Sequence, residues 1–180
     1  MDQKEKRDRR AHLKDFEKDA SGKYVYKGAM YGYQGSSEAR RRTTGKLWTL
    51  SIAALCAIVL CGCIPAPGMN DCTYILLPYM IELVAACYFC WKLGRLTIAG
   101  DPLREYVYED LTEKIPMGMV ITALGSGAGF AGELVYLIQN GTNGKTGTAV
   151  LFLILEAAAC AACVLGKTLF SKMKWAQQNR

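Results

Sequence analysis

The sequence predicts an all-α membrane protein, a four-transmembrane-helix bundle with short outer loops. Three observations predict it: four apolar blocks of membrane-crossing length, charge confined between them, and positive charge concentrated on alternate connections. Averages over the 180 residues conceal the pattern, since 51% of residues are hydrophobic, 21% are charged and the mean hydropathy is only +0.08. The blocks are residues 47–64, 73–91, 115–138 and 146–166.

Each block is close to the ~20 residues needed to cross a hydrocarbon core. Backbone amides in lipid have no water to bond, so these segments are expected to be helices. The first block has no charge, and the others carry one glutamate each: Glu82, Glu133 and Glu156. Residues 1–46 form a basic arm, 47–166 the transmembrane domain and 167–180 a short tail. The blocks take up most of the chain after residue 46, leaving no room there for a second globular domain. The first apolar block begins only after 46 polar residues, later than a cleaved signal sequence would place it.

Lys and Arg set the expected orientation. Residues 1–46 hold 13 of the 22, residues 65–72 none, 92–114 four, 139–145 only Lys145, and 167–180 four. Positive residues stay on the cytoplasmic side. Both termini and the middle connection are therefore expected in the cytoplasm, and the two short loops outside, in a plasma membrane. The formal charge of +6 is assigned to orientation and to anionic lipid. No nucleic-acid partner is expected; the lipid bilayer is the expected surrounding, with room for a homo-oligomer or a membrane-protein partner.

Two local structures are predicted outside the spans. Residues 1–14 carry dense mixed charge and read as an exposed helix. Polar and apolar residues then alternate across 15–18 and 23–27 around a turn-like Asp19-Ala20-Ser21-Gly22, the pattern of a β-hairpin. Tyr24, Tyr26, Tyr31 and Tyr33 read as interfacial anchors. Ser37-Glu38-Ala39-Arg40 reads as the start of a helix running into the first span. In the inner connection, Asp101 and Pro102 resemble an N-cap and first helical residue. Leu103, Val107 and Leu111 follow at helical spacing, so a separate amphipathic helix is expected along the membrane surface until Pro116 opens the third span.

Several motifs look chemical. Gly127-Ala128-Gly129-Phe130-Ala131-Gly132 has the dinucleotide-binding spacing, but that spacing carries meaning only between a strand and a helix. Inside a span, Gly125 and Gly129 instead form a small-xxx-small pair that lets backbones approach. Asn140-Gly141-Thr142 has the form of a glycosylation acceptor and reads as a turn. Among eight cysteines, Cys87/Cys90 and Cys160/Cys163 form two C-x-x-C pairs. Thiolates at such spacing can hold metal, but in lipid free cysteines pack as small hydrophobes, so no metal or cofactor is expected. Cys61, Cys63 and Cys72 flank the first outer loop, where a disulfide to Cys72 is within reach. His12 is the sole histidine and lies outside the spans, and no enzyme chemistry is expected.

The glutamates carry the strongest signal. Counted from the outer face, Glu82 is the tenth residue of its block and Glu156 the eleventh, which puts both near mid-membrane; Glu133 lies nearer the outside. No Lys or Arg within a block can pair with them. Intramembrane carboxyls usually face a bundle interior or an aqueous path for ions or protons. Pro78, one turn before Glu82, frees a helical carbonyl and predicts a kink. The second and fourth blocks echo each other, Glu82-Cys87-Cys90-Gly94 against Glu156-Cys160-Cys163-Gly166, as a duplicated hairpin would. Movement of a cation, proton or small solute is the expected function, with a non-catalytic accessory or scaffold subunit as the alternative.

Overall fold

The computed structural model describes residues 16–18, 22–69, 72–142 and 144–178. The charged segment 1–14 and the turn residues 19–21 lie outside the described residues. Four helices dominate: α1 (Ser37–Cys63), α2 (Thr73–Ile98), α3 (Glu105–Asn140) and α4 (Thr146–Ser171). All four are long and apolar enough to cross a membrane. They pack as a ring in which α1 meets α2 and α4, and α3 meets α2 and α4. Alternate helices run in opposite directions, which leaves α2 and α4 parallel and diagonally opposed.

The outward faces carry Ile52, Leu60, Leu76, Val84, Leu124, Leu151 and Ile154, all exposed. An apolar belt on that scale is compatible with a lipid bilayer around the helices. The interior is closed by Ile58, Ile75, Phe89, Leu93, Ile115 and Phe152, all fully buried.

One heptad seam sets the closeness of α2 and α3. Gly118, Gly125 and Gly132 recur every seven residues on α3. A Cβ added to each would press on Phe89, Glu82 and Ile75 respectively, which are also seven apart on α2. The seven-residue repeat keeps both stripes in register along a left-handed crossing, and glycine allows the backbones to close up.

Among the described residues, five short strands lie outside the spans. β1 (Phe16–Lys18) and β2 (Tyr24–Tyr26) pair antiparallel, the predicted hairpin. The others were not anticipated: β3 (Met30–Tyr33) lies between β4 (Leu103–Arg104) and β5 (Trp175–Gln178), antiparallel to both. This sheet sits at one end of the bundle and joins the arm, the middle connection and the tail.

The sheet corrects the reading of the middle connection. There is no separate surface helix. Asp101 does not cap one: it accepts a hydrogen bond from the Tyr33 backbone N–H at 3.3 Å and lies 3.7 Å from Arg40. Leu103 belongs to β4 and is buried beneath the sheet. The residues from Glu105 onward are the first turns of α3, which passes through Pro116 without interruption. Leu111 lies on the buried face, and Val107 packs against the core, so the periodicity read as amphipathic reflects contact with protein. The tyrosines are likewise not all anchors. Tyr31 stacks on Tyr108 of α3 at 4.2 Å, Tyr33 meets Trp175 edge-on, and Tyr26 is buried; only Tyr24 is largely exposed.

α1 begins as expected, one residue after Ser36, whose hydroxyl accepts a hydrogen bond from the Ala39 N–H. Asn140 is the last residue of α3, and its side-chain amide donates to the Tyr136 carbonyl. All eight cysteines are free thiols, Cys61, Cys63 and Cys72 included.

Candidate functional site: an acid pair at the bundle centre

Three elements place carboxyls in the interior, and the structure divides them into two groups. Glu82 on α2 and Glu156 on α4 point inward from the diagonal helices and come within interaction range across the centre. Both are fully buried. Their matching depth follows from the helix starts: Glu82 is the tenth residue of α2 and Glu156 the eleventh of α4, and the two helices run the same way.

α3 completes the site. The Ser126 hydroxyl donates to Glu82 Oε2 at 2.6 Å. Gly125, one residue earlier, lets the Glu82 backbone come close, and a Cβ on Gly129 would lie 3.4 Å from Glu156 Oε1. The two glycines therefore serve different neighbours, Gly125 the helix backbone of α2 and Gly129 the carboxyl of α4. From α1, the buried Cys61 thiol lies beside Glu156. It also approaches the Phe152 carbonyl at 3.9 Å.

The hydrogen-bond inventory of the pair is incomplete. Glu82 Oε1 and both oxygens of Glu156 accept no hydrogen bond of full geometry, although the Glu82 carboxyl, the Ser126 hydroxyl and the Cys61 thiol all lie beside the Glu156 carboxyl. Nor does any Lys or Arg reach them among the described residues. Buried polar atoms are nearly always satisfied, because an unmet acceptor costs about 1–3 kcal/mol. Three on adjacent carboxyls are the outstanding polar feature of the interior.

Glu133 belongs elsewhere. It lies seven residues beyond Ser126 on α3, two helical turns or about 10 Å along the axis. There the connection between α1 and α2 folds back into the bundle, burying Ala66 and Met69. The Gly68 N–H donates to Glu133 Oε1 at 3.4 Å. A Cβ at Gly68 would lie 2.7 Å from Glu133 Oε2 and 2.9 Å from the Tyr136 ring, so a larger residue there would have to push these side chains aside. Glu133 anchors a plug at the end opposite the sheet.

Pro78 leaves α2 unbroken over Thr73–Ile98. Its carbonyl lies 3.2 Å from a Cβ placed on Gly125, so the Pro78 turn is part of the tight seam. Sequence reasoning missed Ser126, Cys61 and the structural part of Gly68. The seven-residue glycine spacing would have pointed to Ser126, which sits one residue after the central glycine. Cys61 carried no comparable signal.

The two C-x-x-C pairs do not converge into a metal centre: no group of three or more His, Cys, Asp or Glu side chains is placed to hold a metal among the described residues. Cys87 faces outward, Cys160 is half-buried and Cys163 is buried.

At the sheet end a second polar cluster has full pairing. Lys92, buried, donates to Asp110 Oδ2 at 2.6 Å, Arg95 donates to the same oxygen at 3.0 Å, and Lys114 lies 3.7 Å from Oδ1. Lys92 also lies over the rings of Tyr88 and Trp91.

Fold and site define a multi-pass membrane protein with a centrally buried carboxyl pair. Comparison with protein-family models, with curated proteins and with solved structures finds no match to this chain.

Proposed function

We propose that this chain is a small membrane carrier, or the carrying subunit of one, that exchanges protons for a cation at Glu82 and Glu156. The observation behind the reading is the set of three unpartnered carboxyl oxygens at the bundle centre. Two ionised carboxylates this close, in a low-dielectric interior without a positive side chain, repel strongly. A proton or a cation held between them removes that cost, and replacing one with the other is the elementary step of exchange. Ser126 orients Glu82, leaving its second oxygen and those of Glu156 to the exchanged species.

We place the sheet end in the cytoplasm of a plasma-membrane protein, because the arm, the middle connection and the tail carry 21 of the 22 Lys and Arg and positive residues stay inside. In the alternative reading, an accessory or scaffold subunit, the partner would dock on the N-terminal arm and the middle connection, which meet in the sheet.

Conservative substitution separates the two readings. Protein in lightly buffered detergent, titrated with sodium, potassium and tetraphenylphosphonium in turn, should release about one proton per chain with at least one of them. Glu82→Gln and Glu156→Gln should fold and elute as the parent does, yet release none. Release by both variants, or by no protein with any cation, rejects the exchange reading and leaves the subunit reading standing.

A further inference from the structure

Between α3 and α4 a groove of about 550 Å³ opens sideways on the lipid-facing surface. Its floor includes Ser126 and Glu156, the residues of the acid pair, and its walls include Gly127, Phe130, Ala157 and Cys160. Ser126 and Glu156 are themselves fully buried, and neither carboxyl oxygen of Glu156 has a partner. The groove therefore brings an apolar space, open to hydrocarbon, next to an unsatisfied acid.

From this juxtaposition we infer that the cation is a lipophilic organic one, an alkyl- or aryl-substituted ammonium or phosphonium, which enters from the bilayer through the α3/α4 groove. The inference rests on the proton-exchange reading and names its substrate class. A hydrated inorganic ion has no reason to travel through hydrocarbon, since desolvation is what excludes it from the bilayer. A neutral lipid has the right apolar body but nothing to offer two carboxyls. A lipophilic cation has both parts: its substituents match the apolar walls, and its single charge replaces the proton between Glu82 and Glu156. The Phe130 ring on the wall adds an aromatic face of the kind that attracts organic cations. The exchange balances in charge, one monovalent cation entering as one proton leaves, with no covalent change.

Gly127 provides the means of testing the route. A Cβ added there meets no atom within 4 Å, so a larger side chain projects into the groove without displacing protein. Equilibrium dialysis of the full chain in detergent, with radiolabelled tetraphenylphosphonium as probe, should show saturable binding that is tighter at pH 8 than at pH 6. Glu156→Gln should abolish it. Gly127→Leu should weaken it at least tenfold, and Ala161→Leu, on the exposed face of the same groove, serves as a second obstruction should Gly127→Leu fold poorly. Parental affinity in a folded obstructed variant overturns entry through the groove. If sodium or potassium releases protons from the parent while tetraphenylphosphonium neither binds nor releases them, the organic-cation inference fails and the acid pair keeps its exchange function. If no cation releases protons, both fall together.

Discussion

Asp110 lies on α3 five residues before the third apolar block, where three cations converge on its carboxylate. Burial pushes this carboxyl up. The Lys92 hydrogen bond and the charges of Lys92, Arg95 and Lys114 outweigh burial and hold it below its ordinary value of 3.8. A carboxyl whose folded value is depressed stabilises the fold fully above its unfolded value and loses that contribution as pH falls through the folded one. The contribution is therefore complete above about pH 5 and fades below about pH 4. Asp110→Asn should destabilise the protein at pH 7 by about 3 kcal/mol, because it strands the buried Lys92 without its counter-charge. Thermal unfolding in detergent should show that deficit at pH 7 and a smaller one at pH 3. An equal deficit at both would mean that the asparagine disturbs packing and not charge.

At the scale of elements, the seam between α2 and α3 makes a sharper distinction among glycines than their number suggests. A methyl group on Gly125 would lie 2.7 Å from the Glu82 Cβ and 3.2 Å from the Pro78 carbonyl, neither of which can swing aside. On Gly129 the same methyl makes ordinary contact with the Glu156 carboxyl. Gly125→Ala should accordingly cost about 1–3 kcal/mol through overpacking, read as a lower unfolding midpoint in detergent, while Gly129→Ala should unfold close to the parent. Reversal of that order would mean that the seam lies elsewhere. The same contrast shows what the sequence could reveal. The spans were legible because hydrocarbon imposes length and apolarity on each one separately. Inward placement of Glu82 and Glu156 at equal depth was legible from counting along two parallel helices. The contact of Glu133 with Gly68 was not legible, because Gly68 lies in a loop whose burial depends on tertiary folding. The separate helix expected from Pro102 towards Pro116 failed at its start for a related reason: Leu103 sits at helical spacing from Val107, but the sheet claims it. A two-residue strand such as β4 leaves no periodic trace at all.

Over the whole molecule, the sheet and the four helices make a joint statement about sidedness. β3 precedes all spans, β4 follows two of them and β5 follows all four, yet the three strands pair. Orientation can be tested with a membrane-impermeant thiol reagent on intact cells. Lys145→Cys, in the exposed loop before α4, should gain labelling, and Gln34→Cys, exposed just after β3, should gain none until the cells are opened. The opposite pattern would invert the protein in its membrane. The pairing of β3 with β5 also governs the order of assembly. Tyr33 precedes all four helices in the chain, and its partner Trp175 follows all four. A chain grows from its N-terminus and its early parts organise first, but β3 must wait beside β4 until α4 and β5 have been made. Closure of the sheet therefore comes after α4, and a chain that stops at Ser171 would carry all four helices while leaving β3 with an open edge.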